Sequence, residues 1–379
     1  MLVEFRFKTE PLFPEEQVLS LVASKEKRIE ENVFESGVKK IPRLLKSAVI
    51  YGANGHGKST IINLLIDFIE WICGAQDYFP RYLGSAAYEI IFIMKGVAYT
   101  YRLEIDGHTI VSEELQHYKG GKSVRIFKRI VDRKTDRSDI KIGKGFPEYK
   151  YLTKTKIPEN ELLFHCLPKS FIATWLHENV IGVPSKEGAV GCLCFDRDVG
   201  IYEKIKAFLN DIDCGITDFK VDVEKEEVEF YFPNNPPVWN WVPTDRLPSG
   251  IEWLVRRLYG IFDALKHGKL LVLDDLGNGL HPLLVGYVVE LFHNPETNPK
   301  NAQLIFTTHC THLLETKTFL PRLVEGVFRR DQVWFVEYRY SEKKSNLYPL
   351  SDFKEGKEDY KHQEKDYLFG CYDAIPFLM

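Results

Sequence analysis

Apolar and polar residues nearly alternate over residues 2–8, and this period of two predicts a β-strand. Residues 17–23 predict a second short strand, and a third apolar run, residues 48–51, leads into a glycine-rich segment. Beyond that segment, apolar residues recur at helical spacings up to Gly74, which predicts a buried helix ended by glycine. The first part of the chain therefore predicts strands, a glycine-rich loop and a helix.

The rest of the chain divides into a β-rich, a helical and an α/β part. Residues 88–118 predict antiparallel strands, residues 159–213 mainly helix, and residues 222–232 an acidic strand followed by a proline-rich breaker cluster. No tandem repeat or sustained heptad pattern occurs, so we expect no long coiled coil. The α/β part is predicted as a helix over 251–266, a strand over 270–273, a helix over 282–292 and a strand over 304–307.

The composition is that of an ordinary folded, soluble protein, since 44% of the 379 residues are hydrophobic and 27% are charged. No apolar run reaches the length of about 18 residues needed to cross a bilayer, and the N-terminus resembles no signal peptide. These features exclude a membrane-embedded transporter, and we expect no membrane partner. Seven scattered cysteines favour a reducing cytoplasm, and the close pair Cys192 and Cys194 lacks the second pair that a zinc site needs.

The formal net charge of −4 offers no whole-chain excess of positive charge for nucleic acid, so any such site must be local. Residues 119–156 are the candidate, because they hold 13 lysines and arginines against four acidic residues. Two interpretations remain open. The segment is either a solvated insertion or a basic arm that binds phosphates or an acidic protein partner.

The glycine-rich segment has the P-loop spacing G-x-x-x-x-G-K-S between a predicted strand and a predicted helix. Its glycines let backbone N–H groups turn toward phosphate oxygens, and the helix adds its positive end. We expect Lys58 to contact the β- and γ-phosphates of ATP and Ser59 to hold Mg²⁺; the alternative is a plain glycine-rich turn. The predicted nucleotide-binding residues are Gly52, Asn54, Gly55, His56, Gly57, Lys58, Ser59 and Thr60.

A second nucleotide element is the apolar run 270–273 followed by Asp274 and Asp275. Ligands bind at the carboxyl ends of strands in parallel sheets, so Asp274 is expected beside the P-loop, where it can hold Mg²⁺ through water. Asp275 is then placed to orient the attacking water. The alternative is that the two aspartates only cap the next turn.

Two further short motifs complete the predicted nucleotide-binding site. Ser249 and Gly250 begin a predicted helix and form a small anion nest, and His309, just past a predicted strand, can contact a γ-phosphate. Each signal alone is weak, because Ser-Gly is a common helix start and a single histidine is usually structural. All of them in this order are a strong signal. The predicted catalytic residues are Lys58, Asp275 and His309.

The motifs GANGHGKST, LPSG, LLVLDD followed by LHP, and TTH resemble those of ABC-type ATPases of the SMC, RecF and OLD-like branch. More narrowly, the chain resembles the bacterial "AAA family ATPase, abortive-infection" group, which includes ATPase subunits of PARIS-, Septu- and retron-type anti-phage systems. The opening of the chain, DIDCGITDFKV in the middle, and DQVWFVEYRY, SNLYPLSDFK and DYLFGCYDAIPFL in the tail extend the likeness over nearly the whole chain.

The resemblance implies that Ser249 and Gly250 of one copy close over the ATP held by the P-loop of another. The nucleotide would then join copies into a head-to-tail dimer or a higher oligomer. It also implies that Leu280 and His281 belong to the D-loop that crosses between copies. His309 would be the switch histidine that senses the γ-phosphate.

Several residues depart from the family pattern. Asp275 stands where the family usually has glutamate, and its shorter carboxylate should position water poorly, which can cost on the order of 100-fold in rate. We therefore expect slow hydrolysis and a long-lived ATP-bound assembly. Gly277 and Gly279 replace a frequent Asp and Ser, Cys310 replaces a common Asp, and Gln116 is the one candidate for the metal-binding glutamine.

Two functions from different classes follow from the resemblance. The first is an ATP-driven sensor or scaffold in anti-phage defence that controls a separately encoded effector nuclease or toxin, with a phage protein or nucleic acid as its trigger. The alternative is a RecF-like repair and recombination ATPase that clamps DNA, with strongly salt-dependent affinity. A plainer option is an ATP-binding scaffold without useful turnover.

The predicted fold class is α/β: an ABC-type P-loop ATPase head with an antiparallel β subdomain and a helical insertion, and without a long coiled coil. We place an N-terminal ATPase lobe at residues 1–130 and a C-terminal ATPase lobe at residues 246–379. The basic segment and a mainly helical insertion lie between them, at residues 131–245.

Overall fold

The computed structural model describes residues 1–74, 84–119, 122–132, 137–158, 160–166, 171–183, 198–222, 227–315, 326–353 and 362–376. Its α-helices are α1 (Lys58–Ile72), α2 (Phe171–Asn179), α3 (Val199–Asp211), α4 (Ser249–His267), α5 (Pro282–His293) and α6 (Gln363–Leu368). Its strands are β1 (Leu2–Thr9), β2 (Phe13–Ser20), β3 (Val33–Val38), β4 (Ile41–Leu45), β5 (Ser47–Tyr51), β6 (Ser85–Met94), β7 (Val97–Asp106), β8 (Thr109–Lys119), β9 (Lys122–Asp132), β10 (Arg137–Ile142), β11 (Val180–Val183), β12 (Asp218–Asp222), β13 (Glu227–Tyr231), β14 (Trp241–Pro243), β15 (Leu270–Leu273), β16 (Gln303–Thr307), β17 (Val333–Arg339) and β18 (Lys344–Pro349).

A six-stranded sheet in the order β11-β15-β16-β5-β17-β18 forms the centre, and its first five strands run parallel. Strands β5, β15 and β16 are buried along their whole length, so continuous apolar runs mark them in the sequence. The carboxyl ends of parallel strands meet at one edge of a sheet. The P-loop after β5, Asp274 after β15 and His309 after β16 therefore follow the same edge.

Helix α1 lies between this central sheet and a seven-stranded antiparallel sheet, ordered β10-β9-β8-β7-β6-β1-β2. The ring of Phe68 on α1 stacks on Tyr88 of β6 at 5.0 Å between centroids, and the same core includes Ile50 and Ile305 of the central sheet. Helices α3, α4 and α5 share a second core with the other face of the central sheet. The layers are thus an antiparallel sheet, α1, the central sheet and a helical layer.

The described residues between 131 and 245 form both strands and helices, so this part of the chain is not mainly helical as predicted. Besides α2 and α3, they contribute β10 to the antiparallel sheet, β11 to the central sheet and a separate three-stranded sheet, β12-β13-β14. The single strand predicted over residues 222–232 is instead part of a hairpin, because Asp222 ends β12 and pairs with Glu227 at the start of β13. An alternating pattern does not reveal where a hairpin reverses direction.

The α/β class and the antiparallel β subdomain are confirmed. Within the described ranges the longest helix is α4, with 19 residues, in agreement with the absence of a long coiled coil. None of the described helices combines the length and apolar content that a bilayer crossing requires. Cys192 and Cys194 lie outside the described residues, so the absence of a zinc site there stays a prediction.

Candidate functional site

Glycines with positive φ shape the loop between β5 and α1. Gly52 has a φ of 155°, and a Cβ there would lie 2.5 Å from the carbonyl oxygen of Val336 on the neighbouring β17. Gly57, immediately before α1, has a φ of 109°, which side chains other than glycine rarely allow. The path of the P-loop therefore depends on these two glycines.

The side chain of Lys58 is folded back against its own loop. It is 8% exposed, and Nζ donates hydrogen bonds to the carbonyl oxygens of Gly52 at 2.8 Å and Ala53 at 3.1 Å. Burial lowers the pKa of Lys58 to about 8, and the nearby carboxylates of Asp275 and Asp274 oppose that shift. A phosphate group can replace the two carbonyls as the partner of this ammonium group, so Lys58 is placed to bind an anion.

Thr307 at the end of β16 connects the two aspartates. Its hydroxyl donates to Oδ1 of Asp274 at 2.6 Å and accepts the backbone N–H of Asp275 at 2.7 Å. Asp274 is buried, and Asp275 has a φ of 58°, in the left-handed region. The threonine is part of the TTH motif, but sequence reasoning assigned a role only to its histidine.

His309 completes the group of interacting charges. Burial and the charge of Lys58 lower its pKa, and the two aspartates oppose this effect. The lowered pKa favours the neutral imidazole, which can both accept and donate a hydrogen bond. His309 is an exposed residue beside an open cavity of about 700 Å³, which also touches the start of the P-loop. The three predicted catalytic residues thus lie within electrostatic reach of one another.

The residues predicted to hold Mg²⁺ offer suitable chemistry. Ser59 is exposed on the first turn of α1, and Asp274 supplies a carboxylate at the end of β15. Both provide the hard oxygen ligands that Mg²⁺ prefers. Within the described ranges no three His, Cys, Asp or Glu side chains form a metal-binding group. Phosphate and water oxygens would therefore have to complete the coordination.

The other predicted P-loop residues differ in exposure. Asn54 and Gly55 are exposed and Thr60 is half-buried, so all three are accessible to a ligand. His56 is buried, and its carbonyl oxygen accepts a hydrogen bond from Ser345 of β18 at 2.7 Å. His56 nevertheless lines the cavity beside the start of the P-loop.

Ser249 and Gly250, at the start of α4, lie against the loop that follows β15. A Cβ on Gly250 would be 2.1 Å from the carbonyl oxygen of Gly279, and a Cβ on Gly279 would be 3.5 Å from Oγ of Ser249. Leu280, next in that loop, donates its N–H to the carbonyl oxygen of Gly277 at 3.0 Å. The cavity beside His309 touches the start of the P-loop, but it is lined neither by Ser249 and Gly250 nor by Lys58 and the two aspartates.

The remaining residues singled out in the sequence lie on the loop after β15, at the start of α5, after β16 and on β8. Gly277 has a φ of 103°, a conformation that an aspartate would adopt only with strain. The side chain of His281 caps the start of α5, and Cys310 follows His309. Gln116 lies on β8 of the antiparallel sheet, where the hydroxyl of Ser123 donates to it, and it does not line the cavity.

The described part of the basic segment forms β9, β10 and a following 3-10 helix. Arg129 is wholly buried and donates to the carbonyl oxygen of Glu161 at 2.6 Å. Arg125 and Lys128 pair with Glu114, at 2.7 and 3.5 Å. Three cations of the segment are thus engaged within the β subdomain.

Sequence reasoning missed the C-terminal residues 362–376, which form one wall of the cavity. Tyr367 and Leu368 of α6, followed by Ile375, face the start of the P-loop across the cavity. The tail motif was noted for its resemblance only. No spacing rule connects it to a P-loop some 300 residues earlier.

Residues 220–315 match a family described as "AAA domain, putative AbiEii toxin, Type IV TA system". The match covers about a quarter of the chain and contains Ser249, both aspartates and His309, but not the P-loop. No curated protein matches the chain. Together with the P-loop site, the family match supports an ATPase of the ABC/AAA type, a kind of enzyme that uses ATP with Mg²⁺.

Two solved structures are similar to 92% of the chain. One is the SmcHead bound to the C-winged helix domain of ScpA, with 14% identity, a TM-score of 0.46 and 97% of that chain covered. The other is the SMC head domain from Thermotoga maritima, with 17% identity, a TM-score of 0.38 and 98% covered. Both TM-scores lie below 0.5, so neither likeness bears on function.

Proposed function

We propose that this protein is a Mg²⁺-dependent, slowly hydrolysing ABC-type ATPase that acts as a sensor or scaffold in an anti-phage, abortive-infection system. The observation that carries the proposal is the meeting of Lys58, Asp274, Asp275 and His309 at one edge of the central sheet. The family match adds support, because its description names an AbiEii toxin system.

Each group at this edge has a distinct part in the reaction. The P-loop amides and the ammonium group of Lys58 bind the phosphates, and His309 is placed to contact the γ-phosphate. Thr307 fixes the direction of Asp274 and the backbone of Asp275, whose carboxylate orients water for attack. Bound Mg²⁺, held by Ser59 and Asp274, would neutralise phosphate charge.

The site needs a second copy of the chain to close. Ser249 and Gly250 pack on the loop that follows β15 and Asp275 in their own chain. Ser249 is exposed at the N-terminus of the 19-residue helix α4, where an anion is favoured. A head-to-tail pair would place this turn over the nucleotide of the partner and complete two composite sites.

The slow rate follows from Asp275. Its carboxylate is one methylene shorter than glutamate, and a reacting water displaced by about 1 Å can lose on the order of 100-fold in rate. Long-lived ATP-bound dimers suit a scaffold that holds a separately encoded nuclease or toxin until a phage protein or nucleic acid triggers release. The RecF-like alternative has less support, because Arg125, Lys128 and Arg129 are engaged within the β subdomain.

Mixing two inactive variants tests the composite site. Lys58→Ala removes phosphate binding, whereas Ser249→Arg leaves the P-loop intact and blocks the serine turn. Each variant alone should be inactive as an ATPase. An equimolar mixture should recover about a quarter to a half of wild-type turnover, because each mixed dimer has one intact site of two and between half and all of the dimers that form are mixed.

Ser351→Arg is the matched control, because Ser351 is exposed and lies outside the site. It should keep wild-type turnover. If the mixture stays as inactive as the single variants while both still bind each other, the composite site is wrong. If wild-type protein neither binds nor hydrolyses Mg-ATP, the whole proposal fails.

A further inference from the structure

Helix α6 touches the loop that carries the switch histidine. The hydroxyl of Thr311, two residues after His309, donates to Oε1 of Glu364 at 2.5 Å. Nδ1 of His312 lies 3.6 Å from the same carboxylate oxygen. Glu364 therefore holds the segment directly after His309 in place.

The same helix also touches the start of the P-loop. Tyr367 is 5% exposed, and its hydroxyl donates to the carbonyl oxygen of Ala374 at 3.2 Å. Its oxygen faces the backbone N–H of Gly52, and this contact partly offsets the burial that raises the pKa of Tyr367 to about 12. The Tyr367 ring packs against Tyr51, the residue before the loop, at 5.8 Å between centroids.

We propose that Glu364 and Tyr367 are positioning residues that fix His309 relative to the P-loop. The two side chains are three residues apart on α6, a spacing that places them on the same side of a helix. One short helix thus contacts both loops that would surround the γ-phosphate. The inference rests on the proposed ATPase function for its effect on rate, but the positioning itself can be measured without nucleotide.

The physical consequence is a coupling between the two loops. Removing the Glu364 contact frees the segment after His309 and, through α6, loosens the hold of Tyr367 on Gly52. Removing the Tyr367 hydroxyl has the same result in the reverse order: it first loosens the contact with Gly52 and then, through α6, the segment after His309. A residue that only stabilised the fold would not link these two particular loops, which are more than 250 residues apart in the sequence.

Two variants test this coupling: Tyr367→Phe removes the hydroxyl, and Glu364→Ala removes the oxygen that accepts the Thr311 hydroxyl. The control is Tyr348→Phe. The hydroxyl of Tyr348 also donates to the C-terminal segment, at a distance of 3.0 Å from the carbonyl oxygen of Tyr372. Hydrogen exchange is measured on the nucleotide-free proteins over residues 51–57 and 307–313. Steady-state ATP hydrolysis is measured alongside.

Each test variant should speed exchange in both loops, including the loop that its own side chain does not touch. Turnover should fall by roughly two- to tenfold, the effect of one hydrogen bond on the barrier, with the KM for ATP changed by less than about twofold. The control should leave exchange in both loops and turnover as in the wild-type protein.

The proposal is overturned if neither variant changes exchange in the loop it does not touch, or if Tyr348→Phe gives the same result as Tyr367→Phe. If the wild-type protein shows no ATP turnover, the proposed function fails, and the exchange data still decide whether α6 couples the two loops.

Discussion

Asp275 combines a shortened carboxylate with a left-handed backbone, at a φ of 58°. Aspartate tolerates this conformation better than glutamate does, because its short side chain can bond locally. Backbone geometry and catalysis therefore favour different residues at this position. The sequence shows the departure from the family pattern, but it does not show the backbone angle that accompanies it.

The variant Asp275→Glu should raise ATP turnover by up to about 100-fold, because the longer carboxylate reaches the attacking water. It should also lower the free energy of unfolding by up to about 1 kcal/mol, because glutamate fits the left-handed region less well. Phosphate release and urea unfolding measure the two effects.

The control for this substitution is Asp352→Glu, an equally conservative change at an exposed position outside the site. It should change neither ATP turnover nor the free energy of unfolding. If Asp275→Glu leaves turnover unchanged while ATP still binds, carboxylate length is not what limits hydrolysis.

At the scale of elements, the β subdomain is joined to the segment before α2 by a buried carboxylate. Glu113 of β8 is wholly buried and accepts the backbone N–H groups of Leu163 and Phe164, at 2.7 and 3.0 Å, and the hydroxyl of Tyr101 at 2.9 Å. Burial raises its pKa to about 7, although these hydrogen bonds and the charge of Arg129 oppose the shift.

The variant Glu113→Gln should lower the free energy of unfolding by about 1–3 kcal/mol, because its amide group would turn a donor toward a backbone N–H and leave it unsatisfied. Urea unfolding at pH 7 measures the loss. The control is Glu104→Gln on the adjacent β7, where an exposed carboxylate accepts a single bond from Ser112. Equal stability of the two variants would show that the buried contacts contribute nothing.

Elements with strong local patterns were predictable, and those defined by distant contacts were not. Strand β15 occupies the four residues predicted, because a short continuous apolar run with polar flanks has few alternatives. Helix α4 begins two residues before the prediction, at Ser249 itself. In contrast, the importance of α6 depends on Glu364 meeting Thr311, 53 residues earlier, and on Tyr367 meeting Tyr51 at the other end of the chain, and no local sequence pattern predicts such contacts.

The same limit applies within the site. The sequence predicts the P-loop, the two aspartates and His309 as site residues because each stands at a recognisable spacing next to a predicted strand. The role of Thr307 was missed, because a threonine at a strand end is common and only the register of β15 against β16 brings its hydroxyl to Asp274.

On the scale of the whole molecule, the proposal requires a partner encoded elsewhere. Tagged protein isolated from its native locus should bring down a neighbouring gene product in the wild-type form, and Lys58→Ala should retain much less of it, because the ATP-bound assembly no longer forms. The measurement is mass spectrometry of the copurified material.

The control is Lys39→Ala, which removes an exposed lysine at the hairpin between β3 and β4. It should retain as much partner as the wild-type protein. If Lys58→Ala retains as much of the partner as the wild-type protein and Lys39→Ala do, nucleotide does not govern partner binding.

Gly250 and Gly279 meet backbone to backbone, and no side chain lies between them to absorb a small movement. Gly279 follows Asp275 by only four residues. In a dimer, the Ser249–Gly250 turn of each copy would cover the nucleotide of the partner, and the same turn would be linked through Gly279 to Asp275 of its own site. Binding of ATP at one site would then change the affinity for ATP at the other. The expected signature is cooperativity, with a Hill coefficient above 1 in a pair that shares two sites.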